Sequence, residues 1–119
     1  MGSKVLNVTG LRGPVGITFA LKSNLVVSDY YAGILIYAPP YTGAPMHIIV
    51  PKGGPQYAKL DAANHLLYNN DYYNKEIDVY AYPSGTYKYS ITNSVPSNPS
   101  EVAVGPGRTH QPTEVTALA

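Results

Sequence analysis

GPVGITFALKSNLVVSDYYAGILIYAPPYTGAPMHIIVPKG, residues 13–53, is repeated in outline by GPQYAKLDAANHLLYNNDYYNKEIDVYAYPSGTYKYSITNSV, residues 54–95. Each stretch begins with Gly-Pro, passes through Asp-Tyr-Tyr, and ends its following apolar segment at a Tyr-Ala pair with a proline close behind. A third start, NPSEVAV at residues 98–104, breaks off. A repeat of about 41–44 residues therefore organises the chain, and such a period is typical of stacked or circular repeat folds.

Each repeat contains four short segments with the composition of β-strands, separated by turn residues. The segment 76–80 alternates charged and aliphatic residues, as a strand with two different faces does. In the segment 86–92 we expect Tyr87, Tyr89 and Ile91 to share one face. No window has helical spacing bounded by caps, so the chain is predicted to be all-β. The predicted strands are 15–19, 25–28, 34–38 and 46–50 in the first repeat, and 57–60, 66–69, 76–82 and 86–92 in the second.

The composition agrees with short strands and tight turns. The chain has 119 residues, which is one domain's length or less, and its charged fraction of 13% is about half the usual share. It contains 11 Gly and 11 Pro, and its 12 Tyr stand against one Phe and no Trp. Tyrosine suits half-buried sheet positions, because its ring packs while its hydroxyl remains hydrated.

The charge and the apolar pattern argue against two classes of partner. The net charge is +1 and the Lys and Arg residues are scattered, so neither a nucleic acid nor an acidic membrane surface is predicted as a partner. No apolar run approaches the roughly 18 residues of a membrane span. Cysteine is absent. The start, Met1-Gly2-Ser3, is typical of a cloning remnant, which leaves the localisation unknown and export with a removed signal open.

Four antiparallel strands every 40–45 residues is the spacing of β-propeller blades. The first repeat also resembles the NHL-type propeller blade, whose usual pattern is Gly-Pro-x-Gly-Ile-Ala-Phe, then Asn-Leu-Tyr-Val-Ala-Asp, then a polar turn into an apolar strand. The second repeat matches less well, with Tyr57 and Lys59 at small-residue positions and an insertion around residues 69–75. The matching residues are Gly13, Pro14, Gly16, Ile17, Phe19, Asn24, Leu25, Val27, Asp29, Ile36 and Tyr37.

The resemblance implies a division of the chain into blades. Residues 1–12 would supply the last strand of a preceding blade, 13–53 blade one, 54–97 blade two, and 98–119 the first strand of a further blade plus a tail. Propellers close with roughly 4–8 blades, and two blades cannot close. We therefore expect either a homo-oligomer, in which several copies complete the propeller, or a fragment of a longer propeller chain.

The repeated Asp-Tyr-Tyr turn carries the candidate site. Its aspartate is expected to accept backbone N–H groups and to fix the turn between the second and third strands. In propellers such turns commonly line a binding face, and tyrosines beside carboxylates suit a carbohydrate or a peptide ligand. The candidate binding residues are Asp29, Tyr30, Tyr31, Asn70, Asp71, Tyr72 and Tyr73.

The evidence for catalysis is weaker. The three histidines, His47, His65 and His110, show no spacing for shared metal ligation, and no nucleophile motif is present. No catalytic residue, metal ligand or cofactor is therefore predicted. We expect a non-catalytic propeller module that acts as an interaction or ligand-binding scaffold. The alternatives are a fragment of a metal-dependent propeller hydrolase, lactonase or lyase, with Asp29 and Asn70 lining the channel, and an RNA-binding NHL propeller, against which the near-neutral charge counts.

Overall fold

The computed structural model describes residues 7–92, 101–104 and 115–118, and it forms twelve β-strands there. Among these residues there is no α-helix, only a 3₁₀ turn at Leu21–Ser23, and hence no helix with the length and apolar character to cross a membrane. The strands are β1 (Asn7–Val8), β2 (Pro14–Phe19), β3 (Leu25–Asp29), β4 (Gly33–Tyr37), β5 (Thr42–Gly43), β6 (His47–Ile49), β7 (Pro55–Leu60), β8 (Leu66–Asp71), β9 (Glu76–Ala81), β10 (Tyr87–Ile91), β11 (Glu101–Val104) and β12 (Val115–Leu118).

Two four-stranded antiparallel sheets form the centre of the fold. Strands β2, β3, β4 and β6 lie side by side in that order and form blade one. Strands β7, β8, β9 and β10 do the same and form blade two. Each sheet is a meander, in which strands that follow one another in sequence are neighbours in space. The predicted all-β fold with four-stranded antiparallel blades is confirmed, although the described residues do not form a closed propeller.

Two further strand pairs lie outside these sheets. β1 pairs in parallel with β5, which belongs to the connection between β4 and β6. β11 pairs antiparallel with β12 and approaches β7 and β8. Neither β5 nor β12 was predicted from the sequence. β12 lies in the part of residues 98–119 that was predicted to be a tail. Residues 1–6, 93–100, 105–114 and 119, which include the end of predicted blade two, lie outside the described residues, and the division into four segments stays a prediction.

The two blades pack against each other through a shared apolar core. Val26 and Ile36 face each other across β3 and β4, and they point towards blade two. Leu67 and Tyr80 are opposite each other across β8 and β9, and they point back towards blade one. All four side chains are at most 2% exposed. Because side chains alternate between the faces of a strand, this core uses one face of each blade.

On the face of blade one that points away from blade two, apolar side chains of the first strand, β2, are exposed. Leu25 and Val27 of β3 are buried on this face, with Val8 packed beside them. Their partners on β2, Phe19 and Ile17, are 61% and 57% exposed. Apolar side chains so exposed on a sheet face form a surface that favours contact with a neighbour.

One expectation for the last strand of blade two was wrong. Tyr87 pairs with Tyr80, whereas Tyr89 pairs with Val79, because the register between β10 and β9 shifts between Tyr87 and Tyr89. Such a β-bulge inserts one extra residue and reverses the alternation of side chains beyond it. Tyr87 therefore lies on the face of Tyr80, and Tyr89 lies on the opposite face with Ile91.

We predict that Leu67→Ala lowers the free energy of unfolding by about 2–5 kcal/mol, because it leaves a cavity in the core shared by the blades. The matched control is Leu21→Ala, since Leu21 is 62% exposed and its loss should cost no more than about 0.5 kcal/mol. Urea unfolding followed by circular dichroism measures both. Equal effects of the two variants would contradict the shared core.

Candidate functional site

Asp29 holds the turn that ends β3. Its carboxylate accepts hydrogen bonds from the backbone N–H groups of Tyr31 and Ala32 in its own turn, both at 2.9 Å. It also accepts from the N–H groups of Arg12 and Gly13, at 2.6 and 2.9 Å, on the segment that leads into β2. A single side chain thus ties the start of the blade to its central turn. The side chain is fully buried, and four donors surround it.

These bonds also determine the ionisation of Asp29. Burial on its own raises the pKa of this carboxyl, but the four backbone N–H groups stabilise the charged form and outweigh it. The pKa of Asp29 is therefore lowered. This side chain is an ionised structural acceptor, and its oxygens are already engaged.

In both blades the second tyrosine of the motif lies over the glycine of the Gly-Pro pair. A Cβ at Gly13 would be 2.8 Å from Cδ2 of Tyr31, and a Cβ at Gly54 would be 2.9 Å from Cε2 of Tyr73. Real Cβ atoms do not approach other atoms so closely, so only glycine permits this ring position. The Gly-Pro pair and the Asp-Tyr-Tyr turn are thus two halves of one structural corner.

The four tyrosines of the two turns form a continuous row, which we call the tyrosine row. Ring centroids are 5.0 Å apart between Tyr31 and Tyr30, 5.9 Å between Tyr30 and Tyr73, and 5.9 Å between Tyr73 and Tyr72. Such spacings are those of favourable edge-to-face aromatic pairs. The contact between Tyr30 and Tyr73 crosses from blade one to blade two. Tyr31 and Tyr73 remain largely exposed.

A groove of about 190 Å³ lies beside this row on the blade-one side. Tyr30 and Tyr31 form one wall, and the other wall is the linker between the blades. None of the lining residues carries a formal charge, which favours an uncharged ligand. The lining residues are Tyr30, Tyr31, Ala32, Gly33, Val50, Pro51, Gly53, Gly54 and Pro55.

Asp71 occupies the same position in blade two but has different partners. It accepts from the backbone N–H and the side-chain amide of Asn74, at 3.0 and 2.7 Å, within its own turn. It faces blade one together with its cross-strand partner Glu76. Asn70 points to the opposite face of the sheet, beside Ile77, since neighbouring residues of a strand alternate. The structure therefore does not bring Asn70 and Asp71 together.

A second cluster lies on the face of blade two that meets blade one. Three carboxylates there offer oxygen atoms that all lie within 4.8 Å of one another, and all three side chains are buried. Asn69 lies on the same face, directly opposite Asp78 in the strand register. We call this group the acidic pocket; its residues are Asn69, Asp71, Glu76 and Asp78.

The acidic pocket is partly neutralised by one lysine. Lys52, in the linker between the blades, lies 3.3 Å from Oε2 of Glu76 and 3.9 Å from Oδ1 of Asp78. Ser90 of β10 donates a hydrogen bond of 2.6 Å to Oδ1 of Asp78. The other oxygen of Asp78 and both amide atoms of Asn69 have no hydrogen-bond partner among the described residues. Buried polar atoms normally have partners, so these atoms need an explanation.

The pKa values of Glu76 and Asp78 are shifted in opposite directions. Burial raises the pKa of Asp78 to about 8, and the adjacent Asp71 carboxylate adds to the rise. Burial also raises the pKa of Glu76, but hydrogen bonds from Ser90 and Lys52 lower it by more, so its pKa lies below the usual value. Asp78 therefore holds a proton near neutral pH.

The sequence thus identified the tyrosines of the row but missed most of the acidic pocket. It singled out Asn70 and Asp71, of which only Asp71 belongs to the pocket. Asn69, Glu76 and Asp78 look like the polar face of an ordinary strand. The sequence did contain one usable signal, which is the alternation of side chains between the two faces of a strand. When β8 and β9 pair, this alternation places residues 69, 71, 76 and 78 on one face.

The two meandering sheets, packed face to face at the spacing of the repeat, define a β-propeller-like fold. No protein-family model matches the sequence, and no curated protein matches it. Among solved structures the chain is similar to hydrazine synthase from Kuenenia stuttgartiensis, a β-propeller-containing protein, with a TM-score of 0.69 and 18% sequence identity. The match covers 88% of this chain and 29% of that chain. At this identity the similarity shows a shared fold.

We predict that Asp29→Asn lowers the free energy of unfolding by about 1–3 kcal/mol, because an amide nitrogen then faces backbone N–H donors. The loss should be greatest near neutral pH. The pKa of Asp29 is lowered in the folded state, so its contribution is present above the unfolded pKa and disappears as the pH falls through the folded value. Denaturant unfolding from acidic to neutral pH measures this. A constant difference between variant and wild type at all pH values would contradict the assignment.

For Asp78 we predict the opposite dependence on pH. Its folded pKa of about 8 exceeds the ordinary value of 3.8, so the folded state binds the proton more tightly and stability falls as the pH rises between these values. Asp78→Asn removes this ionisation and should flatten the fall. The measurement is the unfolding free energy against pH in a chelator-treated buffer. Identical slopes for the two proteins would contradict the burial of an ionisable Asp78.

Proposed function

We propose that this chain is a non-catalytic β-propeller module that binds an extended, uncharged ligand, a saccharide or a peptide, along the tyrosine row. The observation that carries the proposal is the continuity of the row across two blades. Tyr30 of blade one contacts Tyr73 of blade two at a centroid distance of 5.9 Å. A ligand lying along the rim would therefore meet aromatic rings from both repeats.

The chemistry of the groove supports a neutral ligand. Tyrosine rings stack on sugar rings or on apolar peptide side chains, and their hydroxyls hydrogen-bond polar groups. The groove of about 190 Å³ is smaller than the roughly 300 Å³ at which sites for drug-sized molecules begin. It suits one sugar ring or one side chain of a longer ligand, with the rest of the ligand on the exposed faces of Tyr31 and Tyr73.

We also propose that the blades are of the NHL type. The support comes from the roles of the residues that carry the resemblance. Asp29 accepts four backbone N–H groups, and Gly13 gives space to the ring of Tyr31. These are fold-forming roles; the role of the glycine recurs at Gly54 in blade two, whereas Asp71 accepts from Asn74.

The geometry favours a binding module over a metal-dependent hydrolase, lactonase or lyase. That alternative requires polar residues of both blades to converge on the channel. The carboxylate of Asp29 is occupied by backbone donors, and Asn70 and Asp71 project from opposite faces of β8. These three residues therefore offer no common ligand set in the described part of the chain.

Further copies of the chain would complete the propeller in this proposal. The support is the open face of blade one, where Ile17 and Phe19 are more than half exposed. In a propeller this face meets the preceding blade. A second copy would supply such a blade, and so would the remainder of a longer propeller chain.

The binding proposal predicts that Tyr31→Ala and Tyr73→Ala each lose most of the affinity for any neutral oligosaccharide or uncharged peptide that the wild type binds. Stacking on one aromatic side chain contributes roughly 1 kcal/mol, or about a fivefold change in the dissociation constant, and more where desolvation is complete. A glycan and peptide array selects the ligand, and isothermal titration calorimetry measures the affinities.

The matched control is Tyr89→Ala. Tyr89 is 47% exposed but lies on blade two away from the row, so its removal should leave the affinity unchanged. Tyr31→Phe separates stacking from hydrogen bonding, because it keeps the ring. The binding proposal fails if the wild type binds no array member, or if Tyr31→Ala and Tyr89→Ala weaken binding equally.

A further inference from the structure

We propose that the acidic pocket between the blades binds a Ca²⁺ ion. The donors are the three carboxylates and the side-chain oxygen of Asn69, an all-oxygen set of the kind that hard divalent cations prefer. This inference does not rest on the proposed function, since the pocket is separate from the exposed face of the tyrosine row.

The spacing of the oxygens fits Ca²⁺. Ligand atoms from Asp71, Glu76 and Asp78 all lie within 4.8 Å of one another. Calcium binds oxygen at about 2.3–2.6 Å, so two ligands on opposite sides of the ion are roughly 4.6–5.2 Å apart. Oxygens that lie within 4.8 Å of one another can therefore share one Ca²⁺ ion. Magnesium demands near-ideal octahedral geometry and usually keeps several waters, whereas calcium accepts an irregular set of protein oxygens, so a site built from side-chain oxygens favours calcium.

Asn69 provides an independent indication of a ligand. Its side chain is 0% exposed, and neither its oxygen nor its nitrogen has a partner among the described residues. It lies directly opposite Asp78 and two positions before Asp71, so it shares their face of the sheet. A buried amide without partners costs free energy. A cation would give its oxygen a partner, and it would also engage the unpartnered oxygen of Asp78.

The charge of the pocket leaves a role for a cation. Three buried carboxylates face one lysine, Lys52, whose ammonium lies at the edge of the pocket and whose side chain is 43% exposed. The one lysine contacts only Glu76 and Asp78, and it does so from the edge of the pocket. Carboxyl groups crowded together in a buried site ionise only at a cost in free energy. A divalent cation would place positive charge among all three.

The position of the pocket predicts what the ion does. Asp71 and Glu76 flank the turn that carries Tyr72 and Tyr73. An ion bound to both carboxylates fixes the two ends of this turn to each other and to Asp78 on β9. Calcium would therefore order the blade-two half of the tyrosine row.

Calorimetric titration of the chelator-treated full chain with Ca²⁺ tests the site directly. We expect saturable binding of one ion per chain and a melting temperature that rises with Ca²⁺ concentration. Terbium offers a second readout, because it replaces Ca²⁺ and emits when excited through nearby tyrosines. Tyr80 lies on the same face as the pocket, two cross-strand pairs beyond Asp78. Absence of both signals would overturn the proposal, and preference for Mg²⁺ over Ca²⁺ would overturn the choice of ion.

Three variants assign the signal to the pocket. Asp78→Asn and Asn69→Leu should abolish Ca²⁺ binding while circular dichroism shows intact strands. The matched control is Asp61→Asn, which changes another buried carboxylate of blade two that accepts the N–H groups of His65 and Leu66 in a different turn. It should leave Ca²⁺ binding unchanged. Loss of binding in Asp61→Asn, or retention in both pocket variants, would overturn the assignment.

Lys52→Met distinguishes a cation site from a simple salt bridge. Lys52 competes with the ion for Glu76 and Asp78, so its removal should tighten Ca²⁺ binding, and Ca²⁺ should restore the stability that the variant loses. If the salt bridges of Lys52 stabilise the carboxylates and no ion binds there, the variant loses stability and Ca²⁺ does not restore it. That result would overturn the proposal even if every other variant failed to fold.

Discussion

A propeller blade is a sheet with two faces, and it buries them only against its neighbours. This constraint underlies everything else in the structure. Val26 and Ile36 of blade one meet Leu67 and Tyr80 of blade two, and this contact sets the relative position of the repeats. The tyrosine row is continuous only because the stacking brings the two turns to adjacent positions on one rim. The acidic pocket lies on the same face of blade two, where the linker residues Lys52 and Gly53 lie against it.

The same interface is apolar in one part and acidic in another. Leu67 and Tyr80 fill the apolar part, and two residues further along each strand Asn69 and Asp78 take their place. Burying carboxylates here lowers stability unless something balances them. Lys52 balances them in part, because the linker places its ammonium 3.3 Å from Glu76. A buried group of ionisable side chains with perturbed pKa values, costly for folding, is typical of a functional site.

The sequence predicted the parts of the fold that depend on local pattern. The eight blade strands were predicted within about two residues, because turn residues and alternating apolar residues mark them. The role of Asp29 followed from its place at a turn. The prediction that Tyr87 shares a face with Tyr89 and Ile91 was wrong. The bulge that separates them depends on how β10 pairs with β9, and the sequence of one strand does not reveal that pairing.

The acidic pocket could not be predicted because its burial arises between blades. Glu76 and Asp78 alternate with aliphatic residues, a pattern equally expected of a strand with a solvated face. These charged positions become buried through tertiary contacts, among them those of Lys52 and Gly53 of the linker and Ser90 of β10. Likewise, the asparagine that belongs to the pocket is Asn69 and not Asn70, because the register of β8 against β9 decides on which face each residue lies.

The central claim is that blades of this chain must be covered on both faces, and the molar mass in solution tests it most directly. Light scattering over a range of concentrations should give a multiple of the 12.8 kDa chain mass for the wild type. Ile17→Lys places a charge on the open face of β2, where the side chain is already 57% exposed, and should lower the measured molar mass towards that of the single chain. A wild type that remains at 12.8 kDa at every concentration would contradict the account.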